Sequence, residues 1–187
     1  RQSVKRGYIL GIGIMSSKEV GSNHKECGVT STGVVKFAEI TMAELGIDIH
    51  RQPFSVKFTG GPNGDVAGNA MRILLERCPQ VQVRLILDEF YREYNSLIFN
   101  VPADLFIPAG GRPETIDGNN WQRFFDEDGR PNTRAIVEGA NSFITPEARI
   151  ALQKKGVIIL RDSSANKCGV ISSSYEIIAN LMLSEKE

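Results

Sequence analysis

With 187 residues, the chain is long enough to bury roughly 70% of the surface its unfolded form exposes, as one complete domain does. Hydrophobic residues make up 41% and charged residues 24% of it, and 22 Lys plus Arg balance 22 Asp plus Glu. That balance gives no electrostatic footprint for DNA, RNA or an anionic membrane, and no apolar run approaches the ~18 residues of a membrane span.

The chain opens with a basic head and the apolar run Tyr8 to Met15. No small-residue cleavage site follows, so the run reads as a buried strand or helix edge rather than a signal peptide, with residues 1–29 as a lead-in segment. Ser31 to Leu45 has the apolar spacing of a helical face, hydroxyls at its start and Gly46 as its stop. Phe54 to Thr59 reads as a strand running into a glycine turn, and Val66 to Arg77 as a helix closed by Pro79. Val81 to Leu87 is strand-like and ends at Asp88.

The next joint is compressed. Parallel strands need a crossover of a dozen or more residues. Only Glu89 to Asp104 is available, and Val101-Pro102 interrupts a helix there. Either the crossover is minimal or residues are missing after Asp88.

A third strand is expected at Leu105 to Ile107, a helix near Asp117 to Phe125 and a strand at Ala135 to Val137. Thr145-Pro146 supplies an N-cap and a first helical proline for a helix to Lys155, which Gly156 stops before the strand Val157 to Leu160. A last helix is expected from about Ser172 to Ser184. Strands alternating with helices predict an α/β fold with a mostly parallel sheet covered on both faces. Without repeats, low-complexity tracts or linkers, one domain over residues 1–187 is expected.

Cys27, Cys78 and Cys168 form no Cys-x-x-Cys pair and have only His24 and His50 to join them. No metal site is expected, and a reducing compartment is: the cytoplasm, or the mitochondrial matrix in a eukaryote. Trp121, Phe124 and Phe125 fit a core better than a stacking platform.

The turn Gly60-Gly61-Pro62-Asn63-Gly64-Asp65 lies between a predicted strand and a predicted helix. Gly61 permits the tight bend, Gly64 lets backbone N–H groups approach a pyrophosphate, and the helix beginning near Asp65 points its positive end at that anion. The spacing, Gly61-x-x-Gly64-x-x-x-Gly68, is one residue longer than the usual dinucleotide fingerprint, and Asp65 competes with a phosphate for the same donors. A bare strand–turn–helix joint stands beside the dinucleotide reading. Asp88 ends the second strand somewhat beyond the ~20-residue spacing at which an acid meets the adenosine ribose; there it favours NAD over NADP.

Three hydroxyls, Thr30, Ser31 and Thr32, open the first long helix. One suffices as a cap, leaving two for a ligand. Pro108-Ala109-Gly110-Gly111, Asn141 and Asn166 each follow a strand, at the edge where parallel sheets place ligands.

Together these residues resemble the cofactor-binding domain of the glutamate dehydrogenases, and most nearly their large NAD-specific branch. The likeness rests on Thr30-Ser-Thr-Gly-Val-Val35, Gly60-Gly-Pro-Asn-Gly-Asp-Val-Ala-Gly-Asn69, Pro102 to Pro113, Val137-Glu-Gly-Ala-Asn141 and Asp162-Ser-Ser-Ala-Asn-Lys-Cys-Gly-Val170. It covers nearly everything from Asn23 onward. The resemblance implies a Rossmann-type, doubly wound sheet and oxidative deamination of L-glutamate to 2-oxoglutarate and ammonia, with NAD taking the hydride.

It also implies roles. Thr30 contacts the nicotinamide carboxamide, and Gly61, Pro62, Asn63, Gly64, Asp65 and Val66 form the pyrophosphate turn. Asp88 meets the adenosine ribose. Ala109 and Gly110 border the adenosine side, Asn141 and Asn166 line the nicotinamide side, and Ser173 helps bind the substrate's distal carboxylate. Ser173 also argues against the rival leucine, valine or phenylalanine dehydrogenases, whose substrates are apolar. A non-catalytic nucleotide-sensing module is the other alternative.

Two departures stand out. The family's Ala-Gly-Gly after the asparagine is Lys167-Cys168-Gly169 here. The Pro-Gly-Gly-x-Lys segment of the family's substrate domain, and its proton-moving acid, have no counterpart in the chain. The chain is therefore expected to be a cofactor domain of a larger, homo-oligomeric enzyme, inactive alone.

Overall fold

A computed structural model describes residues 23–88 and 96–182. The expectations for Tyr8 to Met15, for the start of the crossover after Asp88 and for Ser184 lie outside these residues.

Helix α1 (His24–Cys27) leads into α2 (Val29–Glu44), and β1 (Phe54–Thr59) is followed by α3 (Asp65–Arg77) and β2 (Val81–Leu87). Then come α4 (Leu97–Asn100), β3 (Ala103–Pro108), a 3-10 turn (Trp121–Phe124) and β4 (Thr133–Val137). Helix α5 (Pro146–Lys154), β5 (Ile158–Leu160), α6 (Asp162–Ala165) and α7 (Cys168–Met182) complete the order.

The five strands form one parallel sheet in the order β2-β1-β3-β4-β5. The chain leaves β1 toward one side and then returns to continue on the other, so the β1/β3 border is the topological switch point where such sheets bind ligands. Alternation along the strands feeds two cores. Val56, Phe58, Leu105, Ile107, Ala135 and Val137 pack under α2 and α3. Phe106 and Ile136 pack with Ile98, Phe124, Phe143 and Leu152 beneath α4, the 3-10 turn and α5.

Local signals explain most boundaries. Gly46 at φ 76° and Gly156 at φ 89° follow α2 and α5 in a conformation L-residues disfavour. Thr145 caps α5, its Oγ1 accepting from the Ala148 N–H at 3.3 Å.

The helix expected over Asp117 to Phe125 shrinks to the 3-10 turn. Asp117 Oδ1 accepts from Asn119 N at 2.8 Å, and Asn120 Oδ1 accepts from Asp117 N at 2.9 Å. Side chains thus take the amides a helix would need. The last helix begins earlier than expected, at Cys168, because α6 is a single turn that re-enters it directly. The compressed joint carries only the short α4 among its described residues.

Candidate functional site

The strand-end loops meet at the carboxyl edge of the sheet. Gly60 N donates to Leu87 O at 2.8 Å, tying β1 to β2. Ala109 N donates to Thr59 O at 3.0 Å, and Thr59 Oγ1 to Gly110 O at 2.5 Å, tying β1 to the loop after β3. Ala140 N donates to Pro108 O at 2.7 Å, and Glu138 N to Leu160 O at 2.9 Å, which extends the edge across β4 to β5.

The glycine turn is built by close approach. A β-carbon at Gly61 would stand 2.6 Å from Asp88 Oδ2, and one at Gly68 would stand 2.1 Å from the Pro62 carbonyl oxygen. Asp88 therefore lies over the turn, and Gly68 lets the first turn of α3 pack under it. Gly64 is the N-cap of α3 and no side chain caps that helix. Asp65 is exposed, and among the described residues its carboxylate accepts no hydrogen bond, so it does not occupy the N-terminal donors.

Next to the turn lies a cleft of about 600 Å³, lined by Thr30, Val66, Gly139, Asn141, Asn166, Gly169, Val170, Ser173, Ser174 and Ile177. Five residues singled out in the sequence, Thr30, Val66, Asn141, Asn166 and Ser173, meet here from four separate segments. Gly61, Pro62, Asn63, Gly64, Asp65, Asp88, Ala109 and Gly110 are not in its wall; they form the neighbouring stretch of the same edge. Gly139 joins the two, since a β-carbon there would meet Val66 Cγ1 at 3.1 Å and Ala109 Cβ at 3.3 Å.

Of the three hydroxyls only Thr30 reaches the cleft. Buried Ser31 donates to the carbonyls of Asp65 and Val66, at 3.2 and 3.0 Å, and Thr32 donates to Gly28 O at 2.9 Å. No side chain caps α2, whose N-cap is Gly28. The expectation of two hydroxyls free for a ligand is corrected to one: Ser31 fastens α2 to α3.

Val170, Ser174 and Ile177 were missed as cleft residues. With α7 starting at Cys168, Val170, Ser173, Ser174 and Ile177 fall at i, i+3, i+4 and i+7 on one face. A helix begun at Ser172 leaves Val170 outside that pattern.

Three charged side chains, Glu138, Arg149 and Lys57, are buried without lining the cleft. Glu138, fully buried, receives Arg149 Nε and Nη2 at 3.1 and 3.0 Å, and Arg149 Nη2 also donates to Ile144 O at 2.9 Å. Burial raises the Glu138 pKa while the Arg149 guanidinium lowers it, the burial effect being the larger. The pair anchors the loop that carries Gly139 and Asn141.

Lys57, also fully buried, donates from Nζ to Ile98 O at 2.6 Å, Val101 O at 2.9 Å and Asn132 Oδ1 at 3.2 Å, beside the rings of Phe106 and Phe124. Burial brings its pKa down to about 7. Its partners belong to the α4 crossover and the approach to β4, so this ammonium pins those segments and does not face the cleft.

The family model for glutamate/leucine/phenylalanine/valine dehydrogenases matches residues 84–187. The chain belongs to that family. A second model, for the catalytic domain of bacterial NAD-glutamate dehydrogenases, matches residues 1–84. Within the family, the chain is 33% identical over 213 residues to a protein of Schizosaccharomyces pombe described as a probable NAD-specific glutamate dehydrogenase, an alignment covering 86% of this chain and 19% of that protein. It is 48% identical over 85 residues to glutamate dehydrogenase 2 of Dictyostelium discoideum, covering 46% of this chain and 8% of the other. The chain thus spans a fifth or less of these relatives.

Among solved structures, the hetero-hexameric glutamate dehydrogenase of Thermus thermophilus superposes with a TM-score of 0.69 at 18% identity, over 96% of this chain and 46% of that one. The Rossmann-type fold expected from the sequence is the fold shared with that enzyme.

Proposed function

We propose that this chain is the dinucleotide-binding domain of an NAD-dependent glutamate dehydrogenase, a larger enzyme that deaminates L-glutamate oxidatively to 2-oxoglutarate and ammonia. The names of the fungal and bacterial relatives support NAD and glutamate. The observation that carries the reading is the Asp88 carboxylate lying over Gly61 at the turn into an uncapped helix, contiguous with the cleft.

The residues fit such a ligand. Glycines stand where a β-carbon would fill the turn, and helix N-terminal amides lack a side-chain acceptor, as an approaching pyrophosphate requires. In this reading Gly61, Pro62, Asn63, Gly64, Asp65 and Val66 hold the pyrophosphate, and Asp88 accepts from the adenosine ribose and repels a 2′-phosphate. Ala109 and Gly110 border the adenosine end. Thr30, Asn141 and Asn166 orient the nicotinamide, and Ser173 meets the distal carboxylate of glutamate.

When bound, NAD supplies the hydride acceptor. This chain's share is to bind it, orient it and hold one wall of the cleft. The carbonyl-polarising lysine belongs to the family's substrate domain, and Lys57 does not substitute for it from beneath the sheet. The full-length enzyme is proposed to act as a homo-oligomer.

Titration with NADH and NADPH, followed by nicotinamide fluorescence, tests the reading. NADH should bind at least about tenfold more tightly, about 1.4 kcal/mol. Equal affinities would remove the role given to Asp88.

A further inference from the structure

We infer that Asn166 is a positioning residue: it fixes the direction of the Asn141 amide, so that Asn141 presents its NH₂ group to an acceptor oxygen at the nicotinamide end of the dinucleotide. The inference rests on the dinucleotide reading above and adds the direction of one hydrogen bond within it.

The direction follows from one unambiguous partner. Asn166 Nδ2 donates to the Gly139 carbonyl at 3.2 Å and to Asn141 Oδ1 at 2.6 Å. A backbone carbonyl can only accept, so the Asn166 atom facing Gly139 is its nitrogen. That nitrogen's second N–H meets Asn141, and the Asn141 atom it meets must be the oxygen. Turning the Asn141 amide over would set donor against donor across 2.6 Å.

Both ends of this clamp are fixed. Asn166 N donates to Asp162 O at 3.0 Å at the end of α6. Gly139 follows the residue held by Arg149, and it packs closely between Val66 and Ala109, where a β-carbon would stand 3.1 Å from Val66 Cγ1 and 3.3 Å from Ala109 Cβ. Asn141 is exposed, lines the cleft, and among the described residues its Nδ2 donates to no protein group. With its oxygen held by Asn166, its NH₂ group is the part of the amide left for a ligand in the cleft. Because Asp88 and the glycine turn take the adenosine end, the ligand atom reaching Asn141 belongs to the other end, and an acceptor oxygen such as a carboxamide carbonyl matches two donors.

A pair of ligands separates this role from general loop support: NADH, and ADP-ribose, which lacks only the nicotinamide. Asn166→Asp puts a carboxylate oxygen against Gly139 O and draws the Asn141 NH₂ toward itself and out of the cleft. By calorimetry on the whole chain, NADH affinity should fall roughly tenfold or more while ADP-ribose stays within about twofold. Asn141→Asp, at an exposed side chain that leaves Gly139 untouched, should give the same split.

Equal losses for both ligands, or an unchanged NADH affinity in Asn141→Asp, would overturn the positioning role and leave the dinucleotide reading standing. A wild-type chain that binds neither ligand overturns both.

Discussion

The carboxylate of Asp88, at the end of β2, lies directly against Gly61, at the end of β1: a β-carbon on residue 61 would stand 2.6 to 2.8 Å from all three carboxyl atoms. Two strand ends are thereby brought together with no side chain between them. The acid reaches the same surface that the uncapped α3 faces, so one patch offers N–H donors for a phosphate and acceptors for hydroxyls.

Gly61→Ala should therefore act through Asp88. The methyl group has to displace the carboxylate, and NADH affinity should drop about tenfold or more. Asp88→Ser at native Gly61 should instead bring NADH and NADPH affinities closer together. Parallel fluorescence titrations of the two variants check both outcomes; a Gly61→Ala chain binding NADH like wild type would contradict the geometry.

Gly68→Ala meets a harder obstacle, because the added carbon would lie 2.1 Å from a backbone oxygen, that of Pro62. Backbone must move, and overpacking of this kind costs about 1–3 kcal/mol or more. Thermal unfolding should shift down by several degrees, and the turn should lose its ligand.

Lys57 makes stability depend on pH. Its folded-state pKa, about 7, is depressed from 10.5 by burial. Between these values the unfolded chain holds a proton that the native chain lacks, so stability rises with pH through this window and its Lys57 contribution is flat below about 7. The full swing is on the order of 5 kcal/mol at most. Urea denaturation from pH 6 to 9 should show the rise, and Lys57→Met should flatten it. A wild-type stability that stays flat over the same range, like that of Lys57→Met, would show that the three acceptors around Nζ keep it charged in the native state.

Arg149→Met leaves the Glu138 carboxylate buried without its partner, which typically costs about 3–5 kcal/mol. Replacing both residues, Glu138→Leu with Arg149→Met, should recover much of the loss, since an apolar pair of similar volume avoids burying charge. Chemical denaturation of the single and double variants measures the difference. NADH binding should weaken in both, because the pair anchors the Gly139–Asn141 loop.

Much of this architecture is legible in the chain because local chemistry and tertiary position agree. Phe54–Thr59 and Val81–Leu87 have strand bounds matching their apolar runs, and Thr145-Pro146 with Gly156 brackets α5 through capping and backbone conformation alone. What could not be read depends on contacts between distant segments. Ser31 looks like a cap and is a bridge to the Asp65 and Val66 carbonyls. Lys57 has no signal of its own in the strand Phe54–Thr59, yet three acceptors from later segments surround it beside Phe106 and Phe124. Asp117 and Asn120 fit a helical window, but their side chains compete for its amides. For the site, Thr30, Asn141 and Asn166 stand at element ends visible in the sequence and Ser173 comes from the family resemblance, whereas Val170 needs the true start of α7.

A crystal structure of the chain grown with NADH is the decisive measurement. The pyrophosphate should lie against the amides at the start of α3, the adenosine ribose on Asp88, and the nicotinamide between Thr30 and Asn141. A dinucleotide bound elsewhere on the chain, or an empty carboxyl edge at saturating NADH, would contradict the assignment.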